Sequence, residues 1–136
     1  MQSVRAYIGR DHYKTIVKTE NNLMMADEPK DEGGLDLGFS PNELMAASLA
    51  ACTVITLRMY ADRKKWNLDS VELTVSIEWD KLTLRTLMKK KMRLNGNLSP
   101  AERKRLREIG DKCPTHKMLQ HPIMISTEVE NESQPA

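Results

Sequence analysis

Aromatic residues are scarce in this chain. One Phe, three Tyr and two Trp among 136 residues exclude a core built on stacked rings. Nine Met and the aliphatic residues must fill it instead, and Met adapts to irregular gaps. Cysteine is scarcer still. Cys52 and Cys113, 61 positions apart, are too few for the disulfide framework of a small secreted protein. A reducing, cytoplasmic setting is expected. The opening Met1-Gln-Ser-Val-Arg has no leading apolar run of the kind a secretion signal carries. The longest apolar stretch, Leu44 to Leu57, holds 14 residues, short of the roughly 20 that cross a bilayer, so no membrane partner is expected. No Gly-rich phosphate loop, dinucleotide fingerprint or G-x-S-x-G elbow is present, and Gly33-Gly34 stands alone. No cofactor is expected, and no internal repeat is visible.

The net charge is +2, which suits one soluble domain over 1–136. It is unevenly spread. Arg85 to Lys117 holds eleven Lys or Arg and three Asp or Glu, a local balance of +8, so the rest is −6. Such a segment can mark a surface for nucleic acid or an acidic partner. It can equally be a solvated helix face and a strand edge protected by lysines. No aromatic residue interleaves with these cations, so base stacking is absent and nucleic acid is the weaker reading.

One stretch organises the chain. Ser40 suits a helix N-cap, Pro41 falls where its missing N–H costs nothing, and Glu43 completes a capping box. From Leu44 to Leu57 every side is apolar or small, so the helix reads as buried all round. From Ser40 to about Trp66 it would span roughly 40 Å at ~1.5 Å per residue. A domain of this length has a radius of gyration of only roughly 14 Å. One short chain can hardly wrap such a helix, so a second copy is expected to supply the missing cover. Ala46, Ala47, Ala50 and Ala51 would let another backbone approach.

Strands flank this helix. Val4 to Ile8 and His12 to Thr19 have β character around the turn Gly9-Arg10-Asp11, and Leu23 to Ala26 follows the turn Asn21-Asn22. Asp27 to Gly38 is acidic and glycine-bearing, hence a loop. Val71, Leu73, Val75, Ile77 and Trp79 alternate with polar residues over Ser70 to Asp80, the clearest strand in the chain. The next runs from about Leu82 to Leu94, where Lys90 breaks an otherwise apolar face, and Asn95-Gly-Asn ends it. Ser99-Pro-Ala-Glu102 repeats the capping box and opens a helix to about Lys112, with Leu106, Ile109 and Cys113 along one stripe. Pro114 breaks it, and Thr115 to Leu119 can add one turn. Ile123 to Glu130 alternates as a last strand, and 131–136 reads as a polar tail. Strands before and after a helix, without βα alternation, indicate an α+β fold.

The two cysteines carry the chemistry. Either can be a small buried hydrophobe. Cys113 precedes Pro114 and could cap a new turn, where a helix N-terminus favours a thiolate. Lys112 and His116 could add positive potential. Cys52 lies about three turns into its helix and needs a cation from elsewhere, for which Arg10 is a candidate. Cys52, Cys113, His12, His116 and His121 lack the close spacing of a zinc site, so no metal is expected. His121 reads as a loop residue.

Ser40-Pro-Asn-Glu-Leu-Met-Ala-Ala-Ser-Leu-Ala-Ala-Cys52 and Cys113-Pro-Thr-His-Lys together resemble the OsmC/Ohr family, the osmotically inducible protein C and organic hydroperoxide resistance proteins, and most closely its smaller OsmC-like branch. The order of elements resembles it too. The resemblance implies a two-layer α+β fold in an intertwined homodimer, with the long helices at its centre. It implies a thiol peroxidase. Cys52 would attack a hydroperoxide and become a sulfenic acid. Cys113 would resolve it to a disulfide, and a dithiol of the dihydrolipoyl type would recycle that disulfide. Arg10 matches the family arginine that stabilises the thiolate. Where well-known members pair that arginine with a glutamate ten residues before the cysteine, this chain has Asn42. Glu43 is adjacent but turned about 100° around the helix. Asn42 and Glu43 are therefore the candidate substrate-binding residues. A fold-sharing protein with little catalysis, binding a small apolar ligand at the dimer interface, is the competing reading.

Overall fold

The computed structural model describes residues 2–130. The polar tail read over 131–136 lies outside them. The elements run β1 (Arg5–Ile8), β2 (Thr15–Lys18), β3 (Leu23–Ala26), α1 (Pro41–Lys64), β4 (Asn67–Asp80), β5 (Arg85–Asn97), α2 (Pro100–Gly110) and α3 (Pro114–Gln120), with a single 3-10 turn at Lys30–Glu32. Two antiparallel sheets result, β1-β2-β3 and β4-β5. The α+β class is as the sequence indicates.

The start of α1 follows from its first residues. The Ser40 hydroxyl accepts the Glu43 amide at 3.2 Å, and the Glu43 carboxylate accepts the Ser40 amide at 2.9 Å. The helix ends at Lys65, which adopts φ 58 and donates its amide to Ala61 and Asp62. Ala46, Leu49, Thr53, Leu57 and Ala61 form its buried face. On the opposite side Met45, Ile55 and Met59 are 43%, 52% and 68% exposed. One chain thus covers one face of the helix, as expected of a helix too long for it to wrap. By length and composition α1 could cross a membrane, but its inner face packs on β4, α2 and α3, as in a core helix.

The β4–β5 hairpin lies over α1. Val71, Leu73, Val75 and Ile77 on β4 face inward with Met88, Lys90, Met92 and Leu94 on β5, while the residues between them are exposed. Leu57, Ala61, Leu68, Leu98, Leu106 and Ile109 make the core. Both strands are displaced from their expected limits. Asp80 accepts the Leu82 amide and the Thr83 hydroxyl, which turns Leu82–Thr83 out of the strand. At the far end Asn95, Gly96 and Asn97 extend the strand instead of ending it. They pair with Ser70, Leu68 and Asn67 across an irregularity between Leu68 and Ser70. Gly96 has φ 146, and a Cβ there would run into the Asn67 carbonyl.

The N-terminal sheet stands apart from this body and packs chiefly on itself. β2 starts at Thr15, not His12, because Tyr13 is drawn to Asp27. The Asp27 carboxylate accepts four backbone amides, from Tyr13, Glu28, Leu35 and Leu37, and ties the β1–β2 bend to the acidic loop. A further correction concerns the last strand. Residues 121–130 form none: the alternation is present, but no strand edge lies beside it, and Ile123, Met124, Ile125 and Val129 are exposed.

Candidate active site

Cys113 sits where two helices meet. α2 ends at Gly110, earlier than Lys112: Pro114 has no N–H to give the Gly110 carbonyl, which accepts instead from Lys90 Nζ at 2.9 Å. Pro114 then opens α3, and Cys113 is its N-cap, its sulfur accepting the His116 amide at 3.3 Å. Cys113 is 0% exposed. The Thr53 hydroxyl lies 3.6 Å from its sulfur.

Cys52 is half-buried, one position before Thr53 on α1. Burial pushes its thiol pKa up. The hydroxyl and amide of Thr115, the Cys113 side chain and the Thr56 hydroxyl pull it down by hydrogen bonding, and the net result is below the ordinary thiol value. The fold thus brings the two cysteines near each other across 61 positions of sequence.

The inward lysine that breaks the β5 pattern is the cation of this region. Lys90 Nζ reaches Thr53 Oγ1 at 3.3 Å, His116 Nδ1 at 3.0 Å and Asp111 Oδ1 at 3.3 Å in addition to Gly110. Its side chain is only 11% exposed, so its partners replace the water it gives up. His116 does not supply the positive potential suggested by its place in the sequence. Burial lowers its pKa, the Lys90 charge lowers it further, and Asp111 opposes them weakly. Neutral His116 accepts from the Lys90 ammonium through Nδ1, so its proton lies on Nε2. Lys112 is exposed. Beside this cluster opens a cleft of about 410 Å³ with walls from Leu49, Leu87, Met88 and Leu119.

The other candidate residues lie elsewhere. Arg10 is exposed in the bend between β1 and β2. Among the described residues its side chain makes no hydrogen bond or ion pair. Asn42 and Glu43 occupy the first turn of α1, about 15 Å from Cys52 by helical rise, with Glu43 committed to the cap. Sequence reasoning missed Thr53, Thr115 and the role of Lys90. For Lys90 the signal was present, a charge on the buried side of a strand.

Fold and site together define a class: a two-cysteine thiol protein on an α+β frame of one long helix and antiparallel sheets. The chain belongs to the OsmC-like protein family, whose model matches residues 32–128, a range that includes both cysteine segments. Solved structures agree on the fold. One is a Psychrobacter arcticus protein described as an osmotic stress induced and detoxification response protein, at TM-score 0.76, 23% identity and 90% of each chain. Another is an OsmC-like protein of Mycoplasma pneumoniae, at TM-score 0.75 and 18% identity over 88% of this chain and 87% of that one. A third is an organic hydroperoxide resistance protein of Legionella pneumophila, at TM-score 0.65 and 24% identity over 88% and 89%. No curated protein matches the sequence.

Proposed function

We propose that this protein is a cysteine-based thiol peroxidase that reduces organic hydroperoxides in oxidative-stress defence in the cytoplasm. The observation that carries this reading is the nearness of a half-buried Cys52, held below the ordinary thiol pKa, to a buried Cys113. The Cys52 thiolate attacks the terminal peroxide oxygen. The O–O bond breaks, an alcohol leaves with a proton from solvent, and Cys52 becomes a sulfenic acid. The Cys113 thiol attacks that sulfur, water leaves, and a disulfide forms. A dithiol of the dihydrolipoyl type reduces it by exchange. The apolar residues that flank Cys52 in the chain, Ala50, Ala51, Val54 and Ile55, suit organic hydroperoxides better than hydrogen peroxide.

The working unit in this reading is an intertwined homodimer in which a second copy covers the open face of α1. The N-terminal sheet, standing off its own body, would carry Arg10 toward a thiolate through that assembly. Asn42, with Glu43 beside it, lies about 15 Å along α1 from its own Cys52 and would flank the peroxide only across the dimer, from the second copy. Asn42 cannot pair with Arg10 as a glutamate would, and this favours the second reading, a family fold that binds a small apolar ligand at the dimer interface with little turnover. Turnover of cumene hydroperoxide with a dithiol, in wild type and Cys52→Ser, separates the two. Activity abolished by the substitution supports the peroxidase. A folded, reduced wild type that consumes no peroxide would leave the ligand-binding reading.

A further inference from the structure

The two sulfurs of the pair differ in ways that fix where an external thiol enters. Cys113 is closed in by its own chain, at 0% exposure, between Thr53 on α1 and its own helix α3. No assembly of chains can open it. Cys52 is half-buried on α1, and in the peroxidase reading it is the sulfur that a hydroperoxide from solvent must already reach. Exchange requires the attacking thiolate, the attacked sulfur and the leaving sulfur to line up, so access selects the sulfur attacked.

The surroundings of Cys113 also suit a leaving group. Its sulfur already accepts the His116 amide. The Thr53 hydroxyl donates to the Leu49 carbonyl at 2.8 Å and accepts from Lys90. In the reduced protein the Cys113 thiol is therefore the donor in the contact with Thr53. A Cys113 thiolate has no proton to give, but Thr53 can turn its hydroxyl hydrogen onto the sulfur while Lys90 still holds its oxygen. Hydrogen bonds to charged groups are the stronger kind.

Resting on the peroxidase reading, we infer that the recycling thiol attacks the Cys52 sulfur of the disulfide and that Cys113 departs into a pocket formed by the His116 amide and the Lys90-bound Thr53 hydroxyl. A bond forms between the incoming sulfur and Cys52 as the Cys52–Cys113 bond breaks, and the electron pair of that bond stays on Cys113. A second thiol attacks the incoming sulfur and releases Cys52 as a thiolate. The protein gains two electrons and the two thiols become a disulfide. Mixed-disulfide intermediates accordingly reside on Cys52.

The test uses the full chain, oxidised with one equivalent of cumene hydroperoxide, exposed briefly to limiting 2-mercaptoethanol, quenched in acid and mapped by peptide mass spectrometry. The adduct is expected on Cys52 in excess over Cys113 by about ten-fold or more, as access-controlled exchange requires. Equal labelling, or an adduct mainly on Cys113, overturns the inference. If cumene hydroperoxide forms no disulfide, the peroxidase reading fails by itself. The same exchange on disulfide made with diamide then decides the entry point alone, and failure of diamide to join the two sulfurs defeats the inference.

Discussion

At Cys52 two opposing effects meet on one sulfur. Burial favours the neutral thiol, and the donors of Thr115, with Cys113 and Thr56, favour the thiolate and prevail. Thr115 contributes through both its hydroxyl and its amide, and a side-chain substitution removes only the first. Thr115→Val should therefore raise the pH at which Cys52 becomes reactive and slow its alkylation by iodoacetamide several-fold at neutral pH, as followed by mass spectrometry of the Cys52 peptide. An unchanged pH profile would mean that the hydroxyl does not stabilise the thiolate. None of this was legible before folding, because Thr115 and Cys52 are brought together by the packing of α3 on α1. What could be read was the capacity of Cys113 to cap the turn after it, since Cys-Pro at a helix break is a local pattern.

Elements show the same division between local and distant causes. Both capping boxes were readable, because Ser40 with Glu43 and Ser99 with Glu102 settle their helix starts within four residues. The alternation of β4 was readable for the same reason. The limits of β5 were not: its start depends on Asp80 and its end on pairing with Asn67. The strand expected at Ile123–Glu130 failed because alternation states which face is apolar but supplies no partner edge. Asp27 is the clearest case of a distant cause, one carboxylate joining a bend 14 residues before it to a loop 10 residues after it. Burial pushes its pKa up, but the amides of Leu37, Glu28, Tyr13 and Leu35 hold it below the ordinary carboxylate value. A folded-state value below the unfolded one means that the unfolded chain binds the proton more readily. The contribution is thus present above the unfolded value of about 3.9 and is lost as pH falls through the folded one. Urea midpoints measured against pH should fall on acidification. Asp80, held down by Thr83 and Leu82, has the same sign. Asp27→Asn isolates the first effect: it should be less stable at neutral pH and lose less on acidification. Parallel curves for the two proteins would contradict this.

At the scale of the whole molecule, the single chain leaves apolar surface open. α1 is packed on one face and bare on the other, the N-terminal sheet leans on little besides itself, and apolar residues of 123–129 are exposed. Patches of this kind mark interaction surfaces. The mismatch between helix length and domain size pointed to this from sequence, although which face would stay open was not readable in a stretch apolar on all sides. Light scattering should give twice the 15.5 kDa chain mass. Ile55→Lys, a charge placed on the open face, should shift the protein toward monomers, since an unpaired charge is costly to bury. A full-sized dimer of the Lys variant would place the interface elsewhere.

The cap of α3 carries one more consequence. That helix is seven residues long, and its only side-chain cap is the Cys113 sulfur, the same atom that disulfide formation would convert from thiol to disulfide. A bond to Cys52 would fix the direction of that sulfur's lone pairs, so each round of oxidation would re-aim the cap of α3 and each reduction would free it again. The redox state of the protein would then be written into a short helix, as a change in how its first turn is held.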